Sequence, residues 1–207
     1  MYLDKDLQGY LDDLASAKST PGGGSASALS GAMGSALACM VARLTLGKAN
    51  YADVQPEIEA LVQRGEVLRT RFQQLMQEDI EAYGQLSASF KLPRETAEQK
   101  AERTKAIQQG LATAALVPLE MVERAAELVQ CCQRIAVIGN ANVISDIAVA
   151  ATMASSAGMG ASWMVRANLR AMKDLDLASS LSERLSAALD SISTGSQQVI
   201  GVVGERA

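Results

Sequence analysis

The 207-residue chain contains no histidine. That absence removes the Ser-His and Cys-His nucleophile systems and most catalytic zinc sites. Proton transfer must then fall to a carboxylate, Lys, Tyr or Cys side chain, or to the substrate itself. Cysteine is scarce: Cys39, Cys131 and Cys132 form an odd, sparse set that fits a reducing compartment. The adjacent pair lacks the Cys-x-x-Cys-like spacing of zinc sites, so the thiols read as helix-packing groups and no metal site is expected. Aromatic residues make up only 3%, so the core must form by close approach of backbones through Ala, Gly and Ser. A basic surface is missing too. The net charge of −4 argues against a nucleic-acid partner. The opening Met-Tyr-Leu-Asp-Lys-Asp-Leu has neither the basic nor the apolar region of a secretory signal, so a cytoplasmic location is expected.

What is present is enough apolar residue, 48%, for one sizeable domain with its own core. Residues 19–42 and 147–165 carry no charge at all. Both are long enough to imitate membrane spans, but they are built of Ala, Ser and Gly more than Leu, Ile or Phe. They are therefore expected to be buried central helices, with no membrane contact.

Periodicity supplies the elements. Leu3, Leu7, Tyr10, Leu11 and Leu14 predict an amphipathic helix over 3–16. Lys18 to Gly24 is a break, because Pro21 and three glycines forbid regular structure. Ser25 is the expected N-cap of a helix running to about Leu46, with Gly47 suited to its C-terminal cap. Its small residues recur at three- and four-residue spacing on more than one face, so it belongs at the centre of a bundle or of a subunit interface. Pro56 opens a third helix striped by Ile58, Leu61, Val62, Leu68, Phe72, Leu75, Met76, Ile80 and Tyr83, ending near Phe90. Thr96 starts another, which Pro118 should kink or restart and Gly139-Asn140 should stop. Ser145-Asp146 starts the second charge-free helix, to about Val165, with Asn168 in a short connection. A final amphipathic helix spans roughly 174–202. The expected fold is all-α: a single-domain, multi-helix bundle over residues 1–207 with central small-residue helices.

Nucleotide loops do not fit. The stretch from Arg134 to Asn140 resembles a strand before a dinucleotide loop, but Ala141 and Ile144 stand where glycines are needed. Gly47-Lys48 is followed by Ala49 and is not a phosphate-binding loop of the Walker type.

Three places can carry chemistry. Gly22, Gly23, Gly24 and Ser25 offer free backbone N–H groups at a helix start, which bind anions, or they merely permit a sharp turn. Asp79 shares the apolar stripe of Phe72 and Leu75, whereas Glu78 and Glu81 lie off it. A carboxylate facing inward is either a tuned general base or counter-charge, or half of a structural ion pair. Tyr83 lies one turn onward. Asp146, with Ser145, sits at a helix start, where it can be functional or only a cap. Gly139, Asn140 and Asn168 supply turn chemistry or hydrogen bonds to a polar ligand. Lys48 and Arg103 are candidates for a ligand carboxylate, or plain surface charges.

Taken in order, Thr20 to Leu29, Met40 to Lys48, Asp79 to Tyr83, Lys91 to Arg94, Gly139 to Asp146 and Asn168 resemble the formiminotransferase-cyclodeaminase C-terminal domain family, which includes stand-alone methenyltetrahydrofolate cyclohydrolases. The likeness runs from residue 3 to about residue 200. It implies an all-helical fold, a homodimer, and a site for a tetrahydrofolate derivative near the subunit interface. It implies one of two reactions: hydrolysis of 5,10-methenyltetrahydrofolate to 10-formyltetrahydrofolate, or cyclisation of 5-formiminotetrahydrofolate with loss of ammonia. The chain length matches the stand-alone cyclohydrolases, so hydrolysis is the expectation. No cofactor is expected beyond the folate substrate, because the methenyl carbon is already an electrophilic amidinium. On this reading Asp79 is base or cation stabiliser, Asp146 and Asn140 bind the pterin or orient water, and Lys48 and Arg103 meet the glutamate carboxylates. The Gly22–Ser25 loop lines the pocket. A non-catalytic helical dimer remains the alternative of a different class.

Overall fold

A computed structural model describes residues 2–206; Met1, Ala207 and the side chain of Leu3 lie outside the described residues. The described residues form six α-helices and no strand: α1 Leu7–Leu14, α2 Gly23–Arg43, α3 Gln55–Ser89, α4 Ala97–Ile138, α5 Ser145–Leu169 and α6 Leu175–Arg206. Short 3₁₀ turns at Tyr2–Asp4, Ala49–Val54 and Ala141–Val143 join them.

The first helix is shorter than its periodicity predicts. Asp6 caps it by accepting from the Gly9 backbone N–H, so Tyr2–Asp4 forms a separate turn. Ser25 does not cap α2. Gly22 is the N-cap, without a side-chain bond, and Ser25 lies buried inside the first turn. The α2 helix ends at Arg43, so Gly47, with φ of 69°, serves the turn beyond it. Pro56 does open α3, and Thr96 caps α4 through a reciprocal pair with Gln99. Pro118 neither restarts nor stops α4, which runs through it for 42 residues. Asn168 belongs to the last turn of α5, not to a connection. Ser145 and Asp146 start α5, but neither side chain caps it.

The two charge-free segments become α2 and α5, which pack antiparallel. The Ser30 hydroxyl donates to Met153 O, Gly34 lies against Ala150, and Gly23 lies beside Met164. Small residues make this approach possible. A Cβ on Gly31 would fall 2.5 Å from Phe72, and one on Gly160 would fall 2.4 Å from the Ser27 hydroxyl. The α3 and α4 helices cover one side of the pair, and α6 packs on α4 and α5. Phe72, Leu75, Leu119, Leu128 and Ile147 fill the core between them. The α2 helix is long and apolar enough to cross a bilayer, and 61% of its most apolar stretch is buried inside the bundle.

Candidate active site

A cleft of about 200 Å³ opens at the N-terminal end of α2. Gly22, Gly23 and Gly24 form one wall, with Ser19 and Thr20 before them. The α3 helix contributes Asp79, Ala82 and Tyr83; α4 contributes Ala114; α5 contributes Met164 and Asn168. Antiparallel packing puts the start of α2 against the end of α5, so residues 145 positions apart in sequence share the cleft.

Asp79 is its chemical centre. The carboxyl is half-buried, and burial pushes its pKa up to about 6, while the Ser25 backbone N–H holds it partly down. No cation pairs with Asp79 among the described residues, so the structural ion-pair reading does not hold. Glu78 is the member of this run that is paired, to Arg71. Ser25 links the carboxyl to α1, because its Oγ is 3.2 Å from the buried Tyr10 hydroxyl. Burial and the nearby Asp79 charge raise the Tyr10 pKa.

Gly24 is where the turn matters. A Cβ there would fall 2.1 Å from Asp79 Oδ1. Gly22 and Gly23 meet nothing nearer than 3.9 Å and 3.7 Å. Of the three glycines, Gly24 is therefore the one required by a close approach.

Asn168 is held by two carbonyls. Its Nδ2 donates to Ala114 O at 2.8 Å and to Met164 O at 2.9 Å, which leaves Oδ1 as the free atom. Tyr83 stands half-exposed at the cleft.

The remaining sequence candidates lie elsewhere. A 21-residue α-helix is about 30 Å long, so the C-terminal end of α2 is far from Asp79. There, Lys48, Ala49, Asn50, Tyr51, Asn140 and Asn142 line a second cleft of about 380 Å³. Asn140 is engaged within the chain. Its backbone N–H donates to the Thr45 hydroxyl, its Nδ2 donates to Leu44 O, and its Oδ1 accepts from the Asn142 N–H. Gly139 is buried, and its carbonyl accepts from Arg206. Ser145 and Asp146 begin α5 at this same end and line neither cleft. Arg103 lies at the α3–α4 corner, where it donates to Phe90 O, outside both clefts. Within one chain, then, the structure brings Gly22, Gly23, Gly24, Ser25, Asp79, Tyr83 and Asn168 together. It does not bring Lys48, Arg103, Gly139, Asn140, Ser145 or Asp146 to them.

Ala82, Ala114 and Met164 are lining residues that the sequence reading missed. Nothing in an alanine on a long helix signals a cleft. Tyr10 had a signal, its place on the α1 stripe, but not its contact with Ser25.

A near-neutral carboxyl at a helix N-terminus, in a small concave site walled by backbone N–H groups and apolar side chains, is the architecture of an all-helical small-molecule enzyme. Residues 6–187 match the family described as formiminotransferase-cyclodeaminase, and the chain belongs to that family. It is 37% identical over 171 residues to a methenyltetrahydrofolate cyclohydrolase of Methylorubrum extorquens, covering 83% of this chain and 82% of that protein. It is 30% identical over 204 residues to the formimidoyltransferase-cyclodeaminase of Rattus norvegicus, covering 99% of this chain but only 38% of that longer protein. The crystal structure of formiminotetrahydrofolate cyclodeaminase from Thermotoga maritima superposes with a TM-score of 0.90 at 28% identity, covering 99% of this chain and 98% of the other. The all-helical fold expected from sequence is thereby shared with a solved member.

Proposed function

We propose that this chain hydrolyses 5,10-methenyltetrahydrofolate to 10-formyltetrahydrofolate and that Asp79 manages the proton. The observation that carries the reading is the half-buried Asp79 carboxyl, without a cation partner among the described residues and with a pKa raised to about 6, in the cleft at the start of α2. The methenyl carbon, held between N5 and N10, is cationic. Water adds to it and gives a proton to the carboxylate. The adduct's hydroxyl then gives up its proton as the carbon–N5 bond breaks, the electron pair goes to N5, N5 takes a proton to become N5–H, and the formyl group stays on N10; the net yield is one proton. A base with a pKa just below neutrality is mostly ionised at pH 7 and still able to accept a proton. The same carboxylate stabilises the cationic substrate. Because the substrate is its own electrophile, the reading includes no metal and no redox cofactor. Likeness to the Methylorubrum cyclohydrolase over most of both chains supports this reaction.

The cyclodeaminase relatives favour a second reading at the same cleft. There N10 attacks the formimino carbon and ammonia leaves. One experiment separates the two. The loss of methenyl absorbance is followed with the purified chain, and ammonia release is measured with the 5-formimino substrate. Turnover only of the first supports hydrolysis; turnover only of the second reassigns the reaction. Silence in both leaves a non-catalytic helical dimer.

The proposal includes a cytoplasmic homodimer, with neither membrane nor nucleic acid as partner. Exposed apolar side chains on α2 and α5 support it. Met33, Met40, Val149, Met159 and Trp163 stand exposed there, Met159 at 61% and Trp163 at 63%. The charges on α5 are Asp146 in its first turn and Arg166 in its last. A cleft of about 200 Å³ is below the roughly 300–1,000 Å³ of drug-sized ligand sites, so it suits the pterin head and leaves the glutamate tail outside. Lys48 and Arg103 are the cations assigned to that tail. Asp146 and Asn140 are assigned to the folate site from the partner subunit of the homodimer.

A further inference from the structure

Pro118 sits in the middle of α4, buried, where a helix ordinarily has an N–H to give. A helical residue donates to the carbonyl four positions earlier, which here is Ala114 O. Proline has no N–H and its ring crowds that same carbonyl, so Ala114 O is left without its intrahelical partner. A buried carbonyl without a donor is costly, and folded chains satisfy such groups. In this molecule the donor is Asn168, whose Nδ2 lies 2.8 Å from Ala114 O.

The consequence reaches the cleft, because both Ala114 and Asn168 line it. The second Asn168 amide hydrogen goes to Met164 O at 2.9 Å. Two carbonyl acceptors on one nitrogen fix which way the amide points, since only the NH₂ can donate. The Asn168 carbonyl Oδ1 is therefore left without a partner: no donor among the described residues occupies it. An asparagine free to turn would present donors or an acceptor. This one presents an acceptor.

We propose that Pro118 is a positioning residue for substrate recognition. By freeing Ala114 O it locks Asn168 with Oδ1 toward the ligand, and Asn168 thereby selects a heterocycle that offers an N–H donor. Asp79 is assigned the one-carbon chemistry and Asn168 the orientation of the ring. The assignment of the donor to the pterin rests on the folate reading above.

The test is Pro118→Ala, with Asn168→Ala and the double variant. Alanine restores an N–H at position 118, which reclaims Ala114 O and releases Asn168. The expected result for P118A is a KM for 5,10-methenyltetrahydrofolate raised about tenfold, the loss of roughly one hydrogen bond. Its kcat should stay within about twofold, and its melting temperature should rise rather than fall, because a helix interior prefers alanine. N168A should raise KM similarly, and the double variant should be no worse than either single one, since both remove the same contact. The side-chain NH₂ signals of Asn168 give a readout that needs no substrate: slow exchange in the wild type, fast exchange in P118A. Unchanged exchange overturns the Pro118–Asn168 link whatever the substrate is. Altered exchange with additive or absent effects on KM overturns the role in recognition. A wild type that shows the exchange pattern but binds no reduced folate refutes the folate reading and leaves the Asn168 lock standing.

Discussion

An ideal Cβ on Gly24 would fall 2.1 Å from Oδ1 of Asp79 and 2.5 Å from its carboxyl carbon. Real Cβ atoms essentially never come within 3.0 Å of a heavy atom outside their own residue and its chain neighbours. The first turn of α2 thus lies directly on the carboxyl because residue 24 has no side chain. That contact lets the Ser25 N–H donate to Asp79 and places the positive end of the α2 dipole beside the charge.

Gly24→Ala should therefore displace either Asp79 or the start of α2. We expect kcat/KM to fall at least about tenfold and stability to fall by about 1–3 kcal/mol, the usual cost of overpacking. Gly22→Ala should leave kcat/KM within about twofold, since a Cβ there meets nothing nearer than 3.9 Å. Steady-state kinetics and thermal melts on the two variants check the ranking. An equal loss in both would mean that the glycines serve the turn and not the carboxyl.

Asp79 should set the acid limb of the pH profile. Its pKa is raised from 3.8 to about 6 by burial, so the carboxylate is lost as pH falls through 6. In the free enzyme, kcat/KM should climb tenfold per pH unit below about 6 and level off above it. A cationic substrate favours the ionised carboxylate, so the inflection in kcat should lie at lower pH than that in kcat/KM. Asp79→Asn should be slow and flat across the range. A wild-type profile with no inflection between pH 5 and 7 would remove Asp79 from the proton step.

The same shift bears on stability, with the opposite sign to a paired carboxylate. Between pH 4 and 6 the folded chain binds more protons at Asp79 than the unfolded chain does, so this group's contribution to stability declines as pH rises through that window. Asp79→Asn removes the buried charge. Its melting temperature should match the wild type near pH 4 and exceed it by a few degrees, on the order of one to three kcal/mol of relief, above pH 6. Melts of both proteins at pH 4, 6 and 8 give the comparison.

Tyr10 is 4% exposed and its hydroxyl meets Ser25 Oγ. Tyr10→Phe keeps the ring against the core and deletes one hydrogen bond, for a cost of about 1 kcal/mol. Activity should drop less than fivefold, because the backbone bond from Ser25 to Asp79 remains. Loss of activity on the scale of Asp79→Asn would show that the hydroxyl pair takes part in the chemistry itself.

Much of the fold was legible in the residues. Ile58, Leu68, Phe72 and Leu75 repeat at helical spacing and are buried on α3, and Thr96 and Pro56 mark real helix starts. Asp79 was legible because a lone carboxylate on an apolar stripe must meet something polar or titrate abnormally. Other boundaries were decided by partners far along the chain. Ser25 looks like a cap, yet its hydroxyl faces Tyr10; Pro118 looks like a break, yet Asn168 supplies what its missing N–H leaves open. Local rules describe what a residue prefers when nothing else touches it, and these residues are touched.

The sequence by itself determined an all-helical chain, two charge-free helices, and an acid at position 79 that could not be an ordinary surface group. Periodicity and composition suffice for that, because helix amphipathicity depends only on spacing along the chain. Only the tertiary structure decided which candidates meet. Helices α2 and α5 run antiparallel over about 30 Å, so the Gly24 end joins Asp79 and Asn168, while Lys48, Asn140 and Asp146 are carried to the opposite end. A helix is a rigid spacer, and rigid spacers separate residues whose motifs read alike in one dimension.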